Sequence, residues 1–229
     1  MLKQIKRTVA KTSFGKLLKK MLGKKSAQDT FEGSKEYWEN RYLEAGNSGS
    51  GSYGNLSKYK ADFLNKFVDE HKIDSVIEFG CGDGHQLSLA EYPMYYGFDV
   101  SQKALDICNT MFKGDASKQF LLVNENNLKN RKAPLTMSLD VIYHLIENKV
   151  YEDYMTFLFE CSDRFVVIYA SNYDERIAPH VLSRKFTNWV SKNKANWKLK
   201  LHEKNPFPYS PTNPDHTSIS DFYVYEKEG

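Results

Sequence analysis

The run Glu78-Phe79-Gly80-Cys81-Gly82-Asp83-Gly84 constrains this chain more than any other. Glycines at alternate positions, directly after the apolar segment Ser75–Phe79 (SVIEF), let the backbone leave a strand in a tight turn. They also remove the Cβ atoms that would keep a ligand away from backbone amides. A chain that turns this way continues into a helix and returns to the sheet, so the segment reads as the first strand of a βαβ unit. Fifteen residues beyond Gly84, a second strand over Tyr95–Val100 (YYGFDV) ends in Asp99, placed to accept both hydroxyls of a ribose.

The same alternation extends along the chain. Ser34–Leu43 (SKEYWENRYL) reads as a short helix, followed by a Gly/Ser-rich stretch over 45–55 that is either a flexible loop or a backbone passing close to a ligand. Ser57–Lys72 places Tyr59, Phe63, Leu64, Phe67 and Val68 on one helical face. After the glycine turn come a short helix near Gln86–Ala90 and the second strand. Ser101 then N-caps a helix with Ala104, Leu105, Cys108 and Met111 inward. Further strands are expected at Phe120–Val123, Leu135–Ile142 and Arg164–Ala170, with a helix over Val150–Cys161. Trp197–His202 and Phe222–Tyr225 read as an antiparallel edge pair. The expected architecture is a mainly parallel α/β sheet with helices on both faces and a ligand at the carboxyl ends of its strands.

Length and charge narrow the function. The 229 residues suit one α/β domain, expected over 34–229 behind a basic segment, 1–33. Residues 1–25 hold nine Lys or Arg and no acid, which leaves 23 basic against 29 acidic residues in the remainder. An acidic body is not built around nucleic-acid phosphates. The basic segment is either an amphipathic helix resting on an anionic membrane or a partner, or a terminal arm without a function of its own. Cys81, Cys108 and Cys161 are too scattered for a disulfide framework or a zinc site. They read as reduced thiols, and no apolar run approaches a membrane span. A cytoplasmic protein is expected, with peripheral contact at the inner membrane surface through residues 1–25.

Two cofactors suit a glycine turn with a ribose acid. A dinucleotide wants G-x-G-x-x-G, with a helix N-terminus facing its pyrophosphate. Here the spacing is G-x-G-x-G, with His85 where that third glycine would stand. Glu78 would repel a pyrophosphate and attract an ammonium or a sulfonium. Spacing and charge favour S-adenosylmethionine (SAM) over NAD.

With these residues in place, the sequence resembles the class I SAM-dependent methyltransferases. Glu78–Gly84 matches their motif [E/D]-x-G-x-G-x-G, Asp99 their acid after the second strand, and Ser138–Leu145 (SLDVIYHL) their fourth-strand motif. The likeness runs from Tyr37 to Tyr225 and implies a Rossmann-like seven-stranded sheet with the last strand inserted antiparallel. It implies that Gly80, Cys81, Gly82 and Gly84 carry the methionine part of SAM, that Asp99 with neighbouring Val100 holds the ribose, and that Asp140 borders the active site. By the same likeness Arg41 meets the SAM carboxylate and Trp38 or Tyr53 packs against the cofactor.

Methyl transfer is an in-line displacement, in which positioning supplies about 7–11 kcal/mol. A hydroxyl acceptor gains a further factor of about 10²–10⁴ from a base. His144, following the fourth strand, is the first candidate, with Tyr143 beside it and Asp140 orienting either one. His180 and His216 rank below it, His85 caps its helix, and His71 and His202 read as surface residues. Asn205-Pro206-Phe207-Pro208-Tyr209 looks like an NPPY-type motif but stands far from the fourth strand, where that motif belongs, and is set aside. No metal is expected.

The leading expectation is methyl transfer to an oxygen of a small sugar-type or phosphorylated precursor, by likeness to bacterial methyltransferases of surface-polysaccharide pathways. The alternative is an RNA or protein methyltransferase that holds its substrate through the basic segment. A catalytically silent SAM-binding protein is the third class.

Overall fold

A computed structural model describes residues 33–128 and 131–229. The basic segment, its amphipathic-helix reading and its membrane contact lie outside the described residues.

Strands β1 (Val76–Phe79), β2 (Tyr95–Asp99), β3 (Lys118–Leu122), β4 (Ala133–Leu139) and β5 (Ser162–Ala170) are parallel. Strands β6 (Glu175–Ala178) and β7 (Val181–Ser183) form a separate hairpin, followed by β8 (Trp197–Glu203) and β9 (Asp221–Lys227). The main sheet has the order β3-β2-β1-β4-β5-β9-β8. The last strand, β9, is antiparallel to both neighbours and lies inside the sheet, leaving β8 at the edge. Of the two strands expected as an edge pair, only β8 is therefore an edge.

Helices α1 (Ser34–Leu43), α2 (Gly54–Glu70), α3 (Gln102–Met111), α4 (Glu125–Leu128), α5 (Asn148–Glu160) and α6 (Phe186–Asn193) surround the sheet. Both faces are covered, so the central strands are buried along most of their length, Glu78 of β1 and Thr136 and Ser138 of β4 included, and β5 is buried from Phe165 to Ala170. Alternate residues serve opposite cores. Val166, Ile168 and Ala170 pack with Met155 and Leu158 of α5, while Phe165, Val167 and Tyr169 pack with Leu64 and Phe67 of α2 and Leu105 of α3.

Local signals placed most elements within a few residues. The Ser101 hydroxyl accepts the Ala104 amide at 3.3 Å, as an N-cap should. Two expectations are corrected. Gln86–Ala90 forms only a single 3₁₀ turn, Leu87–Leu89. Strand β4 stops at Leu139, because Asp140 adopts φ +59° and a 3₁₀ turn over Ile142–His144 follows. All three cysteines are free and buried. No helix among the described residues is long and apolar enough to cross a membrane.

Candidate cofactor and acceptor site

The glycine turn joins β1 to the 3₁₀ turn below it. Gly80, Gly82 and Gly84 have φ of +84°, +58° and +79°, a region that favours glycine. At Gly82 a Cβ would also collide with the Ser48 hydroxyl, so the close approach of residues 45–55 requires its absence. The Gly82 amide donates to Asp99 Oδ2 at 3.0 Å and the Ser101 amide to Oδ1 at 2.9 Å. Burial raises the Asp99 carboxyl above its ordinary value, against the opposing pull of these amides and that of Val100.

Glu78 is 4% exposed, and its Oε2 accepts the Tyr95 hydroxyl at 2.6 Å. Burial lifts its carboxyl to about 7, against the pull of the Tyr95 hydroxyl and the Lys60 ammonium, with Asp99 reinforcing the rise. No cation lies within hydrogen-bonding distance of it among the described residues.

The end of β4 carries a second polar centre. The Asp140 amide donates to the Tyr169 carbonyl at 2.8 Å. Its carboxylate accepts the Tyr143 hydroxyl (2.9 Å) and the Ser220 hydroxyl (2.8 Å) on Oδ1, and the Lys60 ammonium (2.9 Å) on Oδ2. Lys60 was missed in the sequence, although it is only 1% exposed. The signal was its place between Leu56 and Leu64 at four-residue spacing, in the middle of the stripe that α2 buries.

His144 Nδ1 lies 3.0 Å from the His180 carbonyl. A carbonyl only accepts, so Nδ1 carries the proton and Nε2 keeps its lone pair, with no partner among the described residues. Burial lowers the imidazole to about 4, against the pull of the His180 carbonyl, so it is neutral at physiological pH. The Trp38 ring meets it edge-on at 4.9 Å, and His180 stacks in turn on Tyr37 at 4.6 Å.

Residues 45–55 are pinned over the glycine turn by Asp83, another residue the sequence reading passed over. Its Oδ2 accepts the Ser48 amide (2.9 Å) and the Tyr53 hydroxyl (2.8 Å), and its own amide donates to the Ser48 hydroxyl at 3.0 Å. Burial alone would raise this carboxyl, but hydrogen bonds from Ser48, Tyr53 and His85 outweigh it and hold it below its ordinary value.

A cavity of about 380 Å³ opens at the carboxyl ends of the strands, within the roughly 300–1,000 Å³ of small-molecule sites. Its walls include Trp38, Glu78, the Gly80–Gly82 backbone, Asp99, Val100, Asp140 and His144, which brings most of the expected site residues together. Gly84 supports the turn from behind, where its missing Cβ would approach Cys108 Sγ at 3.0 Å. Arg41, Tyr53 and Tyr143 do not reach the wall. Arg41 donates to the Asn47 carbonyl at 2.6 Å, Tyr53 stacks on His85 at 4.1 Å, and Tyr143 stands behind Asp140. His216 pairs with Asn55, and His202 with Asp221. Asn205 ties its loop to the Phe207 and Ser218 carbonyls, away from β4.

No family model matches the sequence, and no curated protein matches it. Solved structures do. The N-methyltransferase NodS from Bradyrhizobium japonicum aligns with TM-score 0.66 and 12% identity over 86% of this chain and 100% of that one. Magnesium protoporphyrin IX methyltransferase from Synechocystis aligns with TM-score 0.59 and 13% identity over 88% and 98%. The methyltransferase domain of bacterial CtHen1 aligns with TM-score 0.60 and 16% identity over 76% and 100%. The chain has the Rossmann-like methyltransferase fold.

Proposed function

We propose that this chain is a SAM-dependent methyltransferase that methylates a hydroxyl oxygen of a small, uncharged, sugar-type acceptor. The observation that carries the cofactor reading is Glu78, a buried acid on the cavity wall with no bonded cation and a carboxyl lifted to about 7. Such a group fits a ligand bearing an ammonium and a sulfonium and opposes a pyrophosphate. Likeness to structures solved with SAM or its product S-adenosylhomocysteine supports the same reading.

SAM, when bound, supplies a methyl group already activated by its sulfonium. The protein's part is to hold the two reactants in line and to receive a proton. Asp99 faces the cavity beside the glycine turn, where a ribose acid is expected, and Val100, Val123 and Leu128 add apolar wall for an adenine. His144 lines the cavity with a neutral imidazole whose Nε2 has no partner among the described residues. A hydroxyl becomes strongly acidic as its oxygen is alkylated, so even an imidazole held near 4 accepts the proton late in the transfer. Asp140 is hydrogen-bonded to Tyr143, Ser220 and Lys60 and reaches His144 through its charge alone.

Glu36, Glu147 and Asp153 line the same cavity. These acids support the sugar-type acceptor over the phosphorylated one, and they oppose an RNA held near the transfer site. A role in surface-glycan synthesis rests on the sequence likeness alone. Micromolar calorimetric binding of SAM and S-adenosylhomocysteine is expected, and Asp99→Ala should abolish it. Wild-type protein that binds neither compound overturns the proposal.

A further inference from the structure

One end of the cavity holds polar atoms that the cofactor reading does not use. Gln86 is 8% exposed, and its Nε2 donates to the Ser57 carbonyl of α2 at 3.1 Å. Its Oε1 is buried with no hydrogen-bond partner. Three residues along α2 stands Lys60, whose ammonium gives one hydrogen bond, to Asp140, and has the Tyr169 ring centroid 5.4 Å away. An ammonium has three N–H bonds, so two remain without a protein oxygen among the described residues. Both side chains line the cavity.

An orphaned buried acceptor and unspent buried donors are costly features, and they persist where a ligand completes them. The chemistry of the missing group follows from what surrounds it. An anion would satisfy Lys60 but would face Asp140, which already neutralises that ammonium, and would leave Gln86 Oε1 opposite another acceptor. A cation would satisfy Gln86 Oε1 but could accept none of the N–H bonds that Lys60 leaves open. A hydroxyl both donates and accepts at one oxygen, and a pair of adjacent hydroxyls spans two such partners.

We propose that Lys60 and Gln86 form an acceptor subsite that recognises adjacent hydroxyls of a neutral polyol ring. This rests on the methyl-transfer reading and names the substrate group that the same cavity selects. Asp140 is a positioning residue here. It fixes the Lys60 ammonium from a backbone conformation, φ +59°, that few non-glycine residues adopt. Gly51 lets residues 45–55 close over this pair, since a Cβ there would stand 2.9 Å from Asp140 Oδ2.

The test uses the full chain, a panel of neutral pentoses, hexoses and inositols with their monodeoxy analogues, and matched amines and phosphorylated sugars. Release of S-adenosylhomocysteine reports turnover, and calorimetry reports cofactor affinity separately. The expected result is turnover of a neutral polyol, with KM raised at least tenfold by removal of one hydroxyl. Lys60→Met and Gln86→Met should each raise KM for that polyol at least tenfold, and Gln86→Met should change S-adenosylhomocysteine affinity less than twofold, whereas Lys60→Met also removes the charge that pulls on Glu78. Gln86→Met alters no charge and keeps the test alive if Lys60→Met fails to fold. A tenfold loss of cofactor affinity in Gln86→Met overturns the proposal, because the subsite then holds the amino-acid end of the cofactor. Turnover confined to amines or phosphorylated sugars, or polyol turnover unchanged in both variants, also overturns it. Failure of the wild type to bind cofactor at all would instead overturn the methyl-transfer reading.

Discussion

Replacing Glu78 by glutamine should make the empty protein more stable and the cofactor weaker-binding, both in a pH-dependent way. The carboxyl lies near 4.5 in an unfolded chain and at about 7 in the fold, chiefly through burial. The folded state therefore holds this proton more tightly than the unfolded one. Its contribution to stability is intact below pH 4.5, declines as pH rises, and is lost above about 7. At about 1.4 kcal/mol per pH unit, the loss at pH 8 is on the order of 3 kcal/mol, which for a chain of this size is roughly 6–12 °C in melting temperature. Glu78→Gln, neutral at every pH, should recover most of that at pH 8 and nothing at pH 4.5, as scanning calorimetry would read.

Cofactor binding should run the other way. With a carboxyl at about 7, roughly a tenth of the wild type is ionised at pH 6 and roughly nine tenths at pH 8. If the ionised form binds the cation, SAM affinity rises about tenfold across that range. Binding at pH 7 then releases about half a proton, visible as a calorimetric enthalpy that depends on the buffer. Glu78→Gln should show neither effect. A variant that melts at or below the wild-type temperature at pH 8, or wild-type affinity that is flat from pH 6 to 8, would refute the reasoning.

His144→Ala should lower turnover by about 10²–10⁴-fold while leaving SAM affinity nearly unchanged, as single-turnover and binding assays separate. Because burial holds that imidazole near 4, it stays neutral as pH rises, and wild-type turnover should show no histidine inflection between pH 5.5 and 8. Asp83→Asn removes the charge that gathers Ser48, Tyr53 and the His85 amide, so limited proteolysis should cut within residues 45–55 faster than in wild type, with about 1–3 kcal/mol of stability lost. Residues 1–25 are proposed to rest on anionic membranes. Full-length protein should co-sediment with anionic vesicles at low salt and a chain lacking 1–25 should not, whereas a salt-sensitive RNA affinity lost on the same deletion would favour the RNA reading.

What was legible in the sequence was local. The glycine turn, Asp99 and the Ser101 cap depend on neighbours within a few positions, and the structure places them where their spacing put them. Lys60 was not legible, because a lysine on an amphipathic helix reads as solvated until its partner, 80 positions away, is known. Asp83 was hidden as a variable position between two glycines, and its role appears only when Ser48 and Tyr53 fold back on it. Arg41 errs the other way. A cation next to Trp38 suits a carboxylate, yet the Asn47 carbonyl lies six residues along the chain and takes its guanidinium. Residues 45–55 and 171–216 gave the weakest pattern, and within the second the β6–β7 hairpin is short and half-exposed. That hairpin nevertheless supplies the His180 carbonyl that fixes the His144 tautomer.

The geometry after β1 bears on why a sheet shared with dinucleotide-binding proteins would take a cation here. A pyrophosphate site draws on a helix whose first amides and macrodipole face the ligand. In this chain the glycine turn is followed by a 3₁₀ turn of three residues, Leu87–Leu89, too short to sum peptide dipoles into a charge at its start. The amide of Gly82 that would greet a phosphate is already committed to Asp99. Glu78 and Asp99 are both buried beside the turn, and the Lys60 ammonium, although its charge pulls on Glu78, is hydrogen-bonded to Asp140, so no cation is bonded to either acid among the described residues. An anion entering there would meet two acidic side chains and a Gly82 amide already taken by Asp99. An ammonium or sulfonium would lower the Glu78 carboxyl toward its ordinary value and recover the free energy its burial costs the empty protein.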